Sequence, residues 1–558
     1  MTRTATCTHT FDIPRYDLPG DDRSDGRRWL LTEDVPGVSD RVWHCAHEPL
    51  EGESTCLFHT DPEDRPANAD ETKAFFSALQ TAVDAPTSTE SRRRLQFIDA
   101  EFTELAFRGR TVGTRLNHAI NFAAATIGGS DWTDARFTQP VRFSHATFTG
   151  SVTVRDVLFE RAAGFRNATF RGSVQLRGTV FCAPATLKHA TFLGDAQFWY
   201  TTFEAHANFR QAVFEQQAYF MAADFVDYAR FSDAKLNGET VFTLAEFGDD
   251  ADFDGATFGG THNFHKATFD RRTDFSSVTV SGSLDLSEAT FVELRLEPNS
   301  GEQRDRCIDF RGCEIDRGTL GQPNDGRVLY DLTDATVGDV EFVGPVRTPI
   351  ADRVRFVRTR FDGFVFENDD LEPAATGWRL CEVFDATLLP PDSRGDPTTE
   401  ARRQTFLHAK NGADQTGNET AASAFFYREL TYRRRRHAEL ARDADLIPRD
   451  RLSNAISWLR NGTMMILTGY GERPDRVVYA SLLTVFVFAG IYTALLPEST
   501  GTTVDRLVYS FQSFVAFIPG SGIAEPDPSV ELISSFQAFI GAFFIALFVF
   551  TFTRRINR

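Results

Sequence analysis

Large apolar residues in the middle of the chain recur alternately six and five residues apart. The beat starts at Phe137 and runs through Phe143, Phe148, Val154, Phe159, Phe165 and Phe170 to Phe291. Of its 29 positions 23 are Phe, the rest are Leu or Val, and none is polar. Two residues before each beat lies a second, smaller position. It is Ala in 18 cases, as at Ala146, Ala168, Ala190 and Ala212, and otherwise Val or Thr, with His262 and Leu284 as the exceptions. A repeat of this length announces a repetitive architecture and is read first.

A right-handed helical supercoil also has an eleven-residue repeat. At about 100° per residue, however, the Phe and Ala positions scatter around a helix instead of forming a stripe. Ala-x-Phe has period two, which places both side chains on one face of a short extended segment. Each five- or six-residue unit is then one side of a coil, and the Gly and Asp that often follow the Phe supply turn chemistry. The units Ala146-Thr147-Phe148, Ala168-Thr169-Phe170, Ala190-Thr191-Phe192 and Ala267-Thr268-Phe269 resemble those of pentapeptide-repeat proteins. The resemblance implies a right-handed, four-sided β-helix. This chain differs by one extra residue in every second unit, so coils of about 22 residues are expected, roughly seven from residues 137–291, stacked over about 34 Å. Weaker fragments such as Ile308-Asp309-Phe310 and Val354-Arg355-Phe356 extend the β-helix over 94–366.

A second apolar pattern closes the chain. Residues 477–496 and 532–552 carry no charge and are each long enough to span a bilayer as a helix. Arg473 and Arg476 precede the first, and Arg554, Arg555 and Arg558 follow the second. The 35-residue connection holds one Arg and five acids, Glu498, Asp505, Glu525, Asp527 and Glu531. Positive charge stays inside, so a multi-pass cell-membrane protein with both termini in the cytoplasm is expected. Between the spans, 504–517 reads as a helix too short to cross, followed by a Gly-containing loop. This layout, Phe514-Val515-Ala516-Phe517, and the apolar run Phe544 to Phe550 ahead of Arg554-Arg555 resemble the two-transmembrane ion-channel family. The resemblance implies a homotetramer conducting monovalent cations, with a re-entrant pore helix aiming its carbonyl end at the axis. The filter-like stretch is Ile518-Pro519-Gly520-Ser521-Gly522, with Glu525 and Asp527 at the pore mouth. It lacks the Thr and aromatic residue of a potassium filter, so potassium selectivity is not expected, and a non-conducting membrane anchor stays open. Thr468-Gly469-Tyr470-Gly471 spells a potassium filter but precedes the first span, and is read as a membrane-surface turn after an interfacial segment, 451–476.

Between rod and spans, 397–446 is expected to form a helical pair, one helix over about 397–411 and another over about 420–442. The second should bury Ala421, Ala424, Phe425 and Leu430 and expose Arg433 to Arg436, a run suited to anionic lipid headgroups or simply a solvated face.

Composition adds three points. The net charge is −19, and of 59 basic residues only 5 are Lys. Acidic, Arg-rich and Lys-poor composition points to a salt-loving organism, a halophilic archaeon. An acidic rod of this resemblance also raises the alternative of a DNA mimic acting on a topoisomerase, against which the spans would tether it away from the nucleoid. No basic surface suggests nucleic-acid binding. Next, seven Cys and no signal peptide imply reduced thiols. Cys7, Cys45 and Cys56 with His59 cluster in residues 1–70, and C-x2-H suits two ligands of one zinc ion. His9, His44 and His47 are spare candidates, and reduced thiols in a loose cap are the other reading. A helix and linker over 71–93 join this cap to the rod. Finally, no phosphate loop, serine elbow or carboxylate pair suggests an enzyme. The expected function is ion transport through a pore in 477–558, with the rod as sensor or scaffold for an unidentified cytoplasmic protein. The alternative is a membrane-anchored interaction module without conduction.

Overall fold

The computed structural model describes residues 6–12, 35–39, 42–84, 88–299, 305–324, 326–344, 352–366, 379–471, 473–496, 502–516 and 528–556. These fall into two compact units, Met1–Asp362 with Asp369–Gly395, and Gly363–Asn368 with Asp396–Arg558.

The first unit is a β-solenoid. In the regular coils each turn supplies four short strands, each paired in parallel with its equivalent one turn on; from Thr268 on longer strands, such as Thr268–Val280 and Thr290–Asn299, pair in the same way. In one ladder Val112, Phe137, Phe159, Phe181, Phe203, Phe225, Phe247, Phe269, Phe291, Ile315, Val337 and Phe361 follow one another through eleven pairings. Seven of those steps lie between Phe137 and Phe291. The Phe rings stack along the ladders with centroids 4.6–5.0 Å apart from Phe159 through Phe291, which is the strand spacing itself. The small positions, such as Ala185, Ala207, Ala229 and Ala251, form an equally buried ladder.

Why the spacing alternates is visible in the corners. In each five-residue step the chain makes a β-turn, as in Phe143 to Ala146, where Ala146 N–H donates to the Phe143 carbonyl. The third residue of that turn is left-handed, and such residues recur every eleven positions: Asp134, His145, Asp156, Asn167, Gly178, His189, Tyr200 and onward. A left-handed third residue defines the type II turn. The six-residue step has no such residue and needs the extra length to turn.

The first coil is sealed by helix α1 (Glu71–Asp84), whose Phe75 packs on Phe97, Phe107 and Phe122. The buried Glu71 carboxylate accepts from Thr103 and Glu104 N–H and pairs with Arg65, so the solenoid's first open edge is covered. A short helix α2 (Thr89–Arg94) leads into the coil. At the other end Arg355 donates to the carbonyls of Ser393 and Gly395.

One interior position breaks the apolar rule. His262 lies between Thr240 and Leu284 in its ladder, fully buried. Its Nε2 accepts from Gly260 N–H at 3.0 Å, while its Nδ1 and the Thr240 hydroxyl have no partner among the described residues. Burial pushes its pKa from 6.5 down to about 3. The imidazole therefore stays neutral in the folded rod while the unfolded chain takes up a proton below about pH 6.5. Stability is unaffected above that pH and falls as pH drops toward 3, by about 1.4 kcal/mol per unit. His262→Leu removes this contribution. Denaturant unfolding at pH 8 and pH 5 should show the variant gaining on wild type by about 2 kcal/mol at the lower pH. Parallel pH profiles would show that His262 is not held neutral.

The second unit is helical: α3 (Thr399–Gln415), α4 (Glu419–Arg442), α5 (Pro448–Thr468), α6 (Pro474–Leu495), α7 (Thr503–Ala516) and α8 (Pro528–Ile556). Thr398 and Asn418 cap α3 and α4 by accepting from Ala401 and Ala421 N–H. Helix α3 runs four residues past the expected end, because Gly412 and Ala413 are buried in the helix pair. Ala421 and Phe425 of α4 are buried as expected, but Ala424 and Leu430 are only half-buried, and Ala422 and Glu429 are buried instead. Of the Arg run, Arg433 and Arg435 are exposed and Arg434 and Arg436 half-buried.

Candidate metal centre and membrane hairpin

The Cys/His cluster is assembled by local structure. Strands Thr10–Asp12 and Val42–His44 pair antiparallel, which sets Cys7, just before the first, near Cys45, just after the second. Cys56 and His59 bracket one turn of 3-10 helix, Leu57–His59, so both point to the same side. The four ligand atoms of Cys7, Cys45, Cys56 and His59 all lie within 4.8 Å of one another. Cys45 Sγ and Cys56 Sγ are 3.8 Å apart, and His59 Nδ1 is 3.1 Å from Cys56 Sγ and 3.9 Å from Cys7 Sγ. A tetrahedral ion with bonds of about 2.3 Å to sulfur and about 2.0 Å to nitrogen sets sulfur–sulfur spacings near ~3.8 Å and sulfur–nitrogen spacings near ~3.5 Å. These donors fit a four-coordinate metal ion.

The surroundings suit ligation as well. His59 Nε2–H donates to the Ile98 carbonyl at 2.9 Å, which leaves the Nδ1 lone pair facing the sulfurs. Backbone N–H groups of Cys56, His47 and His9 donate to Cys7, Cys45 and Cys7 sulfur, an arrangement that favours thiolate. Hydrogen bonds from Cys45 and then Cys56 hold the Cys7 thiol far below its ordinary range, while contacts with Cys56 and Cys7, and then burial, push Cys45 far above. Only a bound cation would hold all three as thiolates at this spacing. The spare histidines are engaged elsewhere. His9 stacks on His59 at 4.0 Å and pairs with Asp99, His47 bonds the Gln96 carbonyl, and His44 meets Ser39.

In the second unit, α6 and α8 are long and apolar enough to cross a membrane, with mean hydropathies of 1.9 and 2.2. Many of their large side chains face outward, including Tyr479, Leu483 and Phe486 on α6 and Leu532, Phe536 and Phe539 on α8. Helix α7, at 14 residues too short to span, packs against both. Polar residues that sequence reasoning passed over hold it there. Tyr492 hydroxyl donates to Gln537 Oε1 at 2.8 Å; Gln537 Nε2 donates to the Ser510 carbonyl and hydroxyl at 2.9 and 2.7 Å; Ser510 hydroxyl donates to the Val485 carbonyl at 2.8 Å. Tyr492, Gln537 and Ser510 are fully buried. Unpaired, such groups would be costly in an apolar medium, so the network favours one placement of α7. Gly541 of α8 touches the α7 backbone, since an added Cβ would lie 2.1 Å from the Phe514 carbonyl oxygen. Arg506, the one Arg of the connection, is buried and donates to the Thr493 and Leu496 carbonyls at the end of α6, satisfying groups that a helix C-terminus leaves open.

The filter-like residues Ile518, Pro519, Gly520, Ser521 and Gly522, with Glu525 and Asp527, lie outside the described residues. Thr468, Gly469, Tyr470 and Gly471 form the turn between α5 and α6. The turn is buried among the helices around it. Gly469, Tyr470 and Gly471 are all left-handed, Gly471 N–H donates to Thr468 hydroxyl, and Tyr470 packs edge-on to Tyr427 of α4.

Compared with known proteins, the chain matches a family model described as pentapeptide repeats (9 copies) over residues 112–158, 155–202 and 253–297. No curated protein and no solved structure matches it. The family match and the solenoid agree on a pentapeptide-repeat rod.

Proposed function

We propose that this is a multi-pass cell-membrane protein in which a cytoplasmic, right-handed, four-sided pentapeptide-repeat rod is joined to a two-span cation pore. The observation that carries this reading is α7, wedged between two apolar helices by the Ser510–Gln537–Tyr492 network. A plain anchor has no use for a short helix pinned by buried polar bonds, whereas a pore needs one held at a fixed depth. Four copies would surround one pathway for monovalent cations, with Gly520, Ser521 and Gly522 at its narrowest point and Glu525 and Asp527 outside it. The rod serves as a scaffold or sensor for a cytoplasmic protein and has no enzymatic role. Zinc is the ion for Cys7, Cys45, Cys56 and His59, since three thiolates and one imidazole suit it. The acidic, Lys-poor surface suits a halophilic cytoplasm.

The topology is tested with a membrane-impermeant maleimide on whole cells. All seven native Cys precede residue 382, and the two that are not buried, Cys182 and Cys307, should react only after permeabilisation. Thr500→Cys, in the connection, should be labelled in intact cells. Labelling of the native thiols in intact cells, or protection of the introduced thiol there, would overturn the orientation.

A further inference from the structure

Helices α3 and α4 enclose a cleft of about 580 Å³, a size suited to a small organic molecule. Its lining divides by chemistry. Leu407, Phe426 and Leu430 give a half-buried apolar floor. Arg403, Lys410, Arg433 and Arg436 stand around it, with Glu400 and Glu429 as the acids of the lining. The two acids are already committed, because Arg403 lies 2.7 Å from Glu400 and 3.3 Å from the buried Glu429. Lys410 and Arg436 reach Asp414 and Glu439 outside the cleft. Arg433 has no carboxylate within 4 Å among the described residues. His437 adds a ring nitrogen to the rim, its Nδ1 held 2.8 Å from Asn454 Oδ1 on α5.

We propose that this cleft binds an organic phosphate with a flat apolar ring, of the class of nucleoside monophosphates. The ring lies on Leu407, Phe426 and Leu430, and the dianionic phosphate takes charge-assisted bonds from Arg433 and Arg436, with Lys410 within the same lining. Arg433 is the cation of the lining left without a carboxylate partner among the described residues, and a phosphate oxygen would supply one. A fully solvated basic face would have no apolar floor, and a structural ion-pair network would leave no Arg over. The cleft also connects to the membrane side of the unit, since the Leu430 carbonyl accepts from the Tyr470 hydroxyl, 3.4 Å away in the α5–α6 turn.

Isothermal titration calorimetry of the full chain in detergent, with AMP as probe, tests the proposal against adenosine and inorganic phosphate. AMP should bind at least tenfold more tightly than either, because each alone supplies half of the recognition. Arg433→Ala should weaken AMP binding about tenfold or more, and Arg449→Ala, an exposed Arg on α5, should not change it. Unchanged helical circular dichroism verifies that the variants are folded. Phosphate esters also occur on lipids, so a second arm titrates detergent-solubilised phosphatidylglycerol, with phosphatidylcholine as control, into the same chain. Heat from phosphatidylglycerol that is lost in Arg433→Ala, with no heat from AMP, would assign the cations to a lipid headgroup and overturn the soluble ligand. AMP binding equal to that of adenosine, or unaffected by Arg433→Ala, would overturn the phosphate contact.

Discussion

Phe209→Asp is expected to destroy the rod's cooperative folding. Phe209 is fully buried, stacks on Phe231 at 4.7 Å and meets Phe198, Phe203 and Phe220 edge-on. Truncating a buried Phe costs about 3–5 kcal/mol, and placing an unpaired carboxyl in the gap costs a few more. In a solenoid each coil contacts only its neighbours, so no distant contact compensates. The comparison is Asn208→Asp, one residue earlier on the outward side. Asn208 Oδ1 already accepts from Arg210 N–H, which a carboxylate oxygen replaces, so this variant should melt within a few degrees of wild type. The pair tests the period-two register directly: similar melting curves for the two variants would show that the inward face is wrong.

Removing the metal should have the second largest effect. Purified protein from zinc-supplemented medium should carry about one zinc per chain by elemental analysis, and Cys56→Ser should reduce this to near zero. Binding of zinc to Cys/His sites is worth on the order of 10 kcal/mol at neutral pH and is spent on folding. The cap has little core of its own beyond Trp43, Phe58 and the cysteines. Chelation should therefore expose residues 42–84 to protease while the coils beyond Phe97 stay resistant. Zinc-free wild type that resists cleavage as well as the loaded protein would leave the cluster as packed thiols.

The inward face of the rod was legible because burial repeats in register, so Ala and Phe recur where neither exposure nor charge is tolerated. The cause of the six-five alternation was not, because the left-handed corner is occupied by residues as different as Asp134, His145, Tyr200, Gln211 and Leu244. Backbone conformation is set there by coil geometry rather than by side-chain type. One-turn ion pairs such as Arg230–Asp252 and Lys266–Glu288 become readable only once the 22-residue register is known, and the exposed Lys266–Glu288 pair contributes little. The spacing of Cys56 and His59 disclosed a ligand pair, but nothing in it indicated the Ile98 carbonyl that fixes the imidazole. Helix α7 could be placed to within a residue or so from its apolar run. The role of Ser510 and Gln537 could not, since a polar residue in such a run identifies no partner until the helices are packed. Glu429 was missed for the same reason: its burial depends on Arg403 of another helix.

Whether α6, α7 and α8 frame a cation pore is decided by single-channel recording of the purified full chain in planar bilayers. Cation current with weak discrimination between potassium and sodium is the expected result. Glu525→Gln with Asp527→Asn should lower conductance at low salt and leave it nearly unchanged at high salt, because the field of a ring of acids fades beyond a Debye length of about 10 Å at ~0.1 M. Strong potassium preference, anion current, or no current at any salt concentration would contradict the pore.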